Sequence, residues 1–385
     1  MGGTPTRPQR VVVNHHGVRA LPSSAMERFG FVGLPNAGKS SLYNALAGGG
    51  ALAAPYAFAT TDPNVGVARV PDIRLDQLSG MSGSKKTVPA TVEFVDIGGL
   101  VEGASQGEGL GNKFLAGIRE ADAIVFVLRA FEDGDVPGPT DPLEHLRVLE
   151  IELTLADLES VESRIVRRRK ALRADARDTK MMAEVDALDA VLPILEAGTP
   201  IYRSDLSSDR RIALHQHFLL TNKPVLAVLN IGEDQLQSAG SIAANVEAEL
   251  PGVEILPICV QLEAEAALLD VNERSELLEG LGLGEGALPR FVRSAYHALG
   301  LRTFLTTGEK ESRAWTFRSG STAPQCAGRI HTDFERGFIR AEVIRWDRLL
   351  ELGSWSAARD AGRLRLEGKD YIADDGDVME FRFNV

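Results

Sequence analysis

Phe29-Gly30-Phe31-Val32-Gly33-Leu34-Pro35-Asn36-Ala37-Gly38-Lys39-Ser40 is the stretch that decides the fold. Its first residues read as a buried strand and Ser41 to Ala47 as a helix. The G-x-x-x-x-G-K-[ST] pattern therefore stands in its required setting, after a strand and before a helix. Gly33 and Gly38 let the backbone curl so that successive N–H groups point at phosphate oxygens, and the helix N-terminus adds positive potential. Asn36, Ala37, Gly38, Lys39, Ser40 and Ser41 are the expected phosphate-contacting residues. Lys39 should reach the β- and γ-phosphates, and Ser40 should offer its hydroxyl to Mg²⁺.

Downstream, Val92 to Val95 leads into Asp96-Ile97-Gly98-Gly99. An Asp at a strand end with Gly three residues later fits a metal-holding carboxylate and a γ-phosphate sensor. Asp96 is the expected Mg²⁺ partner, and Gly99 the expected N–H donor to the γ-phosphate. Thr60, in Phe58-Ala59-Thr60-Thr61-Asp62-Pro63-Asn64, is placed to close over Mg²⁺ when triphosphate is bound, with Thr61 its local competitor. The Gly-rich run Gly103 to Gly111 suits a mobile loop. Lys39 and Gly99 are the expected catalytic pair; Ser40, Thr60 and Asp96 are the expected metal set.

Further apolar strands are expected at Thr91 to Val95, Ala123 to Leu128, Val225 to Leu229 and Glu254 to Val260, alternating with helical stretches. Near-continuous apolar runs of this length belong to parallel strands covered on both faces, so the fold class is α/β. Asp141-Pro142 reads as an N-cap and first helical residue, with Glu144 completing a capping box. Leu143, Leu146, Leu149, Leu153, Leu158 and Ile165 then recur at helical spacing. The pattern weakens over Asp175 to Lys180 before a second helix, Met181 to Leu195, which together predict an antiparallel helical arm. After about residue 300, strand-like segments at Arg313 to Phe317, Phe338 to Ile344 and Val378 to Val385 predict a small α+β domain. The expected division is an extension over 1–28, a P-loop domain over 29–138 and 206–300, the arm over 139–205 and the small domain over 301–385.

Composition bounds the rest. The 385 residues carry 42 Lys+Arg against 54 Asp+Glu, a net charge of -12, which argues against a general nucleic-acid coat. Residues 301–385 hold 14 basic and 14 acidic residues, so the acidic excess lies upstream. No apolar run reaches the roughly 18 residues a membrane span needs. Cys259 and Cys326 are far apart and lack metal-ligand spacing, which fits a reducing, cytoplasmic setting. Residues 1–26 contain Arg7, Arg10 and Arg19 but no Asp or Glu. They read as a disordered tail, as a start assigned ahead of Met26, or as an organelle transit peptide. Arg164, Arg167, Arg168, Arg169, Lys170 and Arg173 form a basic run on the arm. It reads as a solvated helix face or as a phosphate-contacting surface.

The base site is the decisive departure from a GTPase. GTPases place N-K-x-D after a late strand, where the Asp accepts from guanine N1–H and the 2-amino group. Here the strand ends in Asn230-Ile231-Gly232-Glu233. Losing that reader removes guanine discrimination without by itself creating adenine preference. Asn222-Lys223-Pro224-Val225 lacks the Asp and precedes the strand. Leu100 stands where many switch GTPases place a water-orienting Gln, so slow turnover is expected. Asn36 is a candidate K⁺ ligand, its alternative being a hydrogen bond within the loop.

Taken together, these residues resemble the YchF or Obg-like ATPase family of translation-factor-related GTPases, from about Phe29 to Val385. Beyond the P-loop, the resemblance is carried by Pro63-Asn64-Val65-Gly66-Val67, Gly107-Glu108-Gly109-Leu110-Gly111-Asn112-Lys113-Phe114, Arg313-Ala314-Trp315-Thr316, His331-Thr332-Asp333-Phe334-Glu335 and Glu367-Gly368-Lys369-Asp370-Tyr371. It implies a P-loop NTPase domain with an inserted helical arm and a C-terminal TGS domain of β-grasp type. It implies an Mg²⁺-dependent ATPase preferring ATP to GTP, with Asn230, Ile231 and Glu233 at the base. It also implies association with the ribosome through large-subunit rRNA, with a role in translation or stress regulation. A monomer is expected. The alternatives are an Obg-type GTPase and a nucleotide-dependent ribosome-binding module with negligible hydrolysis. Family members often carry His where this chain has Phe126; His331, in the other domain, is not its replacement.

Overall fold

The structure, a computed structural model, describes residues 9–10, 27–48, 65–97 and 110–384. The described residues form two compact units. One holds the described residues among 27–68 and 93–295, the other those among 1–26, 69–92 and 296–385.

The first unit is built on a six-stranded sheet. Its order is Val65–Arg69, Thr91–Asp96, Arg28–Val32, Ala123–Arg129, Val225–Asn230, Ile255–Ile258. The pairings from Thr91–Asp96 through Ile255–Ile258 are all parallel. Every residue of Ala123–Arg129 is buried, the mark of a central strand covered on both faces. Parallel registry brings the carboxyl ends to one edge: Phe31 pairs with Asp96, and Arg129 with Asn230. Ligands bind beyond that edge in open α/β sheets. Strands expected at four of these positions lie within a residue of those observed, and Ile255–Ile258 is shorter than the expected Glu254 to Val260. Val65–Arg69, which has only five residues and a glycine inside it, carries no strand signal that reading along the chain picks out.

The arm is less separate than its sequence suggests. Pro142–Ala174 and Thr179–Glu196 are its helices. Asp141 and Asp178 cap them by accepting from Leu143 N and Met181 N, both at 2.9 Å. Leu146, Leu149 and Leu153 of the first helix pack into the core of the sheet. Only its later part, at Val161 and Ile165, packs with Leu188, Val191 and Leu195 of the second. Asp157 is fully buried and accepts from Leu220 N at 2.8 Å and from Thr221 N and Oγ1 at 2.7 Å. It ties the long helix to the turn that feeds Val225–Asn230. Burial pushes this carboxyl up to about 6 against the pull of those three donors.

The second unit holds the C-terminal domain. Arg365–Glu367, Phe338–Arg345, Asp377–Phe383, Leu301–Thr306, Ser312–Arg318 and Thr87–Val88 form a sheet in that order. Helix Ala323–Ile330 lays Ala323, Cys326 and Ala327 on Phe304, Phe317, Val343 and Phe381. Two expected boundaries need correction. Gln9–Arg10, in the stretch set apart as an extension, forms a short antiparallel strand against Arg382 and Phe383. There the C-terminal strand has run past its contact at Val378 with Leu301–Thr306 and still has backbone groups to satisfy. Residues 69–92, expected in the P-loop domain, belong to this second unit. Arg74, on helix Ile73–Ser82, grips Asp72 with two nitrogens at 2.8 Å and Asp375 at 2.6 Å. Ser84 Oγ donates to Gly308 O at 2.7 Å, and Thr87–Val88 pairs parallel with Ser312–Arg313.

Candidate nucleotide site

The phosphate-loop residues form one turn between a strand and a helix. The turn leaves Arg28–Val32 and enters helix Lys39–Gly48. Asn36 and Gly38 sit at φ 62° and 97°, the left-handed region. A Cβ on Gly38 would stand 2.2 Å from Asn230 Nδ2, and one on Gly33 2.6 Å from Val127 O. Both positions therefore require glycine for space, and Gly38 for conformation as well. Lys39 is 6% exposed and donates from Nζ to Leu34 O at 2.8 Å. Burial pushes its ammonium down to about 8, with Asp96 opposing the shift. Ser40 Oγ donates to Asp96 Oδ2 at 2.7 Å, so the two expected metal partners are brought together from separate elements. A hydroxyl and a carboxylate at that distance form an all-oxygen donor set suited to a hard cation such as Mg²⁺. When bound, Mg²⁺ supplies charge stabilisation for a triphosphate. Thr60 and Gly99, expected in the metal set and at the γ-phosphate, lie outside the described residues, as do Thr61 and Leu100. Leu110 and Gly111, placed in the expected mobile run, belong to helix Leu110–Glu120, and residues 103–109 lie outside the described residues.

The base end is organised around Asn230, which is 5% exposed. Its Nδ2 donates to Ala37 O at 3.1 Å, and its Oδ1 accepts from Val260 N at 3.3 Å. One side chain thus locks the phosphate loop to the strand end and to the start of helix Val260–Ala266. Ile231 N is spent on Ile258 O at 3.0 Å, so the expected backbone contact of Ile231 to a base would have to come from its carbonyl. Glu233 is exposed at the start of the 3₁₀ turn Glu233–Ser238. A cavity of about 750 Å³ runs from Asn36, Lys39, Ser40 and Ser41 past Asn230 and Glu233 to Gln261 and Leu268. Its size fits a nucleotide-sized ligand.

Two contributors escape sequence reasoning. Arg129 closes an all-buried strand and is itself 1% exposed. Its guanidinium donates to Phe131 O and Val136 O at 3.1 Å and Pro137 O at 3.3 Å, and lies 4.4 Å from the Phe131 ring centre. This holds the segment 131–137, which walls the cavity through Phe131, Glu132, Asp133 and Val136. Asn36 Nδ2 donates to the same Pro137 O at 3.2 Å. The amide expected to help hold K⁺ therefore has a hydrogen bond of its own, to a neighbouring loop rather than within the phosphate loop. The second contributor is Gln261, on the cavity wall after Asn230's partner Val260. An arginine closing an apolar strand was the one available signal for the first; a glutamine on a short helix offers none.

The basic run on the arm is partly neutralised. Arg168 pairs with Glu184 and Arg169 with Asp189, each at 2.6 Å, and Arg164 meets His217 Nδ1 at 3.0 Å. Arg167, Lys170 and Arg173 are exposed. Phe126 is fully buried, edge-on to Tyr202 at 6.3 Å.

Comparison with known proteins places this geometry. A family model described as "50S ribosome-binding GTPase" matches residues 28–163. A model of the YchF GTPase C-terminal domain, described as a protein of unknown function, matches residues 301–384. The "Ribosome-binding ATPase YchF" of Bacillus subtilis is 45% identical over 92% of this chain and 99% of its own length. The chain belongs to the YchF family. The "Obg-like ATPase 1" of Rattus norvegicus is 38% identical over 93% of this chain and 92% of its own length. A solved structure of the Schizosaccharomyces pombe YchF GTPase superposes with a TM-score of 0.82 at 34% identity, covering 92% of this chain and 97% of that one. The YchF architecture, a P-loop domain with an inserted arm and a TGS-like C-terminal domain, is the one observed here. Among the described residues no helix is long and apolar enough to cross a membrane.

Proposed function

We propose that this YchF-family chain is an Mg²⁺-dependent ATPase that favours ATP over GTP, turns over slowly and acts as a nucleotide-controlled switch on the ribosome. One observation carries the reading: Lys39, Ser40 and Asn230 line a single cavity, and Asp96 reaches it through its hydrogen bond with Ser40, so three elements, one helix N-terminus and two strand ends, meet there. Lys39 and the backbone donors of residues 36–41 bind the triphosphate, Ser40 and Asp96 hold the metal with Thr60, and Gly99 serves the γ-phosphate. Preorganised donors of this kind are the main source of catalysis in phosphoryl transfer.

Three features support the finer points. The turn after Asn230 offers Glu233 in place of the N-K-x-D carboxylate, which fits a site that does not select guanine. Buried Phe126 brings no proton-handling group to its strand, in keeping with slow turnover. Arg167, Lys170 and Arg173 form the exposed remnant of the basic run, suited to phosphates of large-subunit rRNA. The names of the bacterial relatives support ribosome association and a cytoplasmic setting; in this reading the chain acts as a monomer, and K⁺ would act through Asn36. A GTPase reading has one observation in its favour: Glu233 is an exposed carboxylate on the cavity wall, able to accept from guanine. The test is single-turnover hydrolysis of ATP with Mg²⁺, with and without ribosomes and K⁺, on the native chain and Lys39→Ala. Hydrolysis that vanishes in the variant is expected; hydrolysis that persists overturns the proposal.

A further inference from the structure

We propose that Gln261 is the side chain that reads the base, accepting a hydrogen bond from the 6-amino group of adenine, and that Glu265 positions it. The inference rests on the ATP-site reading above and deepens it by naming the source of adenine preference.

Besides the Ile231 carbonyl, a backbone acceptor, the base end of the cavity offers side chains and N–H groups that can be taken in turn. Lys39, Ser40 and Ser41 fix the phosphate end, so the ring falls among Phe131–Val136, Asn230–Asp234 and Cys259–Leu268. Asn230 has its amide nitrogen on Ala37 O and its oxygen on Val260 N. The Ile231 N–H is spent on Ile258 O, and the Gly232 N–H on Gln235 Oε1 at 2.8 Å. The carboxylates of Glu132, Asp133, Glu233 and Asp234 can only accept, and each would have to shed water to do so.

Gln261 differs from all of these. It is neutral, it lines the cavity, and it stands directly after Val260, whose N–H anchors this helix to Asn230. Its Nε2 donates to Glu265 Oε1 at 3.1 Å, one helical turn on. That bond commits the amide nitrogen and leaves Oε1 as the free acceptor of a cavity-lining side chain. Adenine offers an N–H donor at C6. Guanine offers the O6 acceptor there, so two lone pairs would oppose each other unless the carboxamide rotated and gave up Glu265. A site built to pair with a substrate N–H rejects the analogue that lacks it, because the acceptor is left unpaired. Leu268, 84% exposed at the rim, and Ala264 on the same wall provide apolar surface for the ring.

The test is equilibrium binding of ATP, GTP and purine riboside triphosphate, which lacks any group at C6, to Mg²⁺-loaded full-length protein. In the native chain ATP should bind about tenfold more tightly than purine riboside triphosphate, the scale of one hydrogen bond. Gln261→Leu should close that gap through loss of ATP affinity. Glu265→Ala should narrow it, and Glu265→Gln, which still accepts from Gln261, should restore it. Both sites are exposed, and unchanged melting temperatures will show that the variants fold. A gap that survives in Gln261→Leu overturns the inference, as does a native protein that binds the two adenine-shaped ligands alike while Lys39-dependent triphosphate binding is intact. Triphosphate binding indifferent to Lys39→Ala overturns the underlying ATP-site reading and this inference with it.

Discussion

Replacing Arg129 by Met tests whether the wall of the cavity is held from beneath. The guanidinium makes three hydrogen bonds to backbone carbonyls and a cation–π contact with Phe131. Charge-assisted hydrogen bonds are worth about 1.5–3 kcal/mol each when removed singly, and the ring contact adds about 0.5–1 kcal/mol. The sum is an upper bound. The freed carbonyls belong to a segment whose residues 132–135 are exposed, so water can reach the loop, and Met fills most of the vacated core volume. A loss of about 3 kcal/mol in unfolding free energy is therefore expected, read by urea denaturation. The same variant should weaken ATP binding about tenfold, because Phe131, Glu132, Asp133 and Val136 lose their anchor. Asn36→Ala supplies the internal control. Asn36 and Arg129 share Pro137 O as acceptor, so their effects on affinity should be non-additive in a double-mutant cycle. An Arg129→Met protein within about 0.5 kcal/mol of the native chain, with strictly additive effects, would refute the argument.

Other consequences can be checked in parallel. Gly38→Ala should abolish triphosphate binding, measured by calorimetry, since its Cβ would collide with Asn230 Nδ2 at a left-handed φ. Asp157→Ala should cost about 2–4 kcal/mol by thermal or urea melts, because it orphans the N–H groups of Leu220 and Thr221 in a buried setting. Triphosphate affinity should hold at and below neutral pH and fall as pH rises through about 8, where Lys39 loses the proton that burial already makes easier to remove. Asp375 gives an acid-side counterpart. Burial raises its pKa, but Arg74 and the Thr303 N–H together hold it below the ordinary value. Its contribution to stability is thus complete above the ordinary carboxylate range and disappears as pH falls through the lowered pKa. Arg74→Met should flatten the loss of stability on acidification, followed by urea melts across the acid range.

Much of this was legible in the sequence because the signals were local. The phosphate loop announces itself through glycines whose positions the structure shows to be sterically obligatory, and the central strands through unbroken apolar runs. Asp141 and Pro142 mark the start of the arm for the same reason, a cap being a matter of adjacent residues. What stayed hidden was set by contacts remote in sequence. Residues 69–92 join the C-terminal unit through Arg74 and Asp375, which are 301 positions apart. The basic run reads as a solvated face or as a phosphate-contacting surface, and its pairing with Glu184 and Asp189 of the second arm helix was not legible because those partners lie on another helix. Arg129 falls just past the expected strand Ala123 to Leu128, and only the fold of residues 131–137 around it shows why an arginine is buried there.

The central claim, that this cavity takes the triphosphate and favours adenine, is tested most directly by competitive titration of ATP and GTP on the purified full-length chain with Mg²⁺. The account predicts that ATP displaces a fluorescent nucleotide at lower concentration than GTP and that Lys39→Ala gives no bound-nucleotide signal to displace. GTP binding as tight as ATP, or undiminished binding by Lys39→Ala, would contradict it.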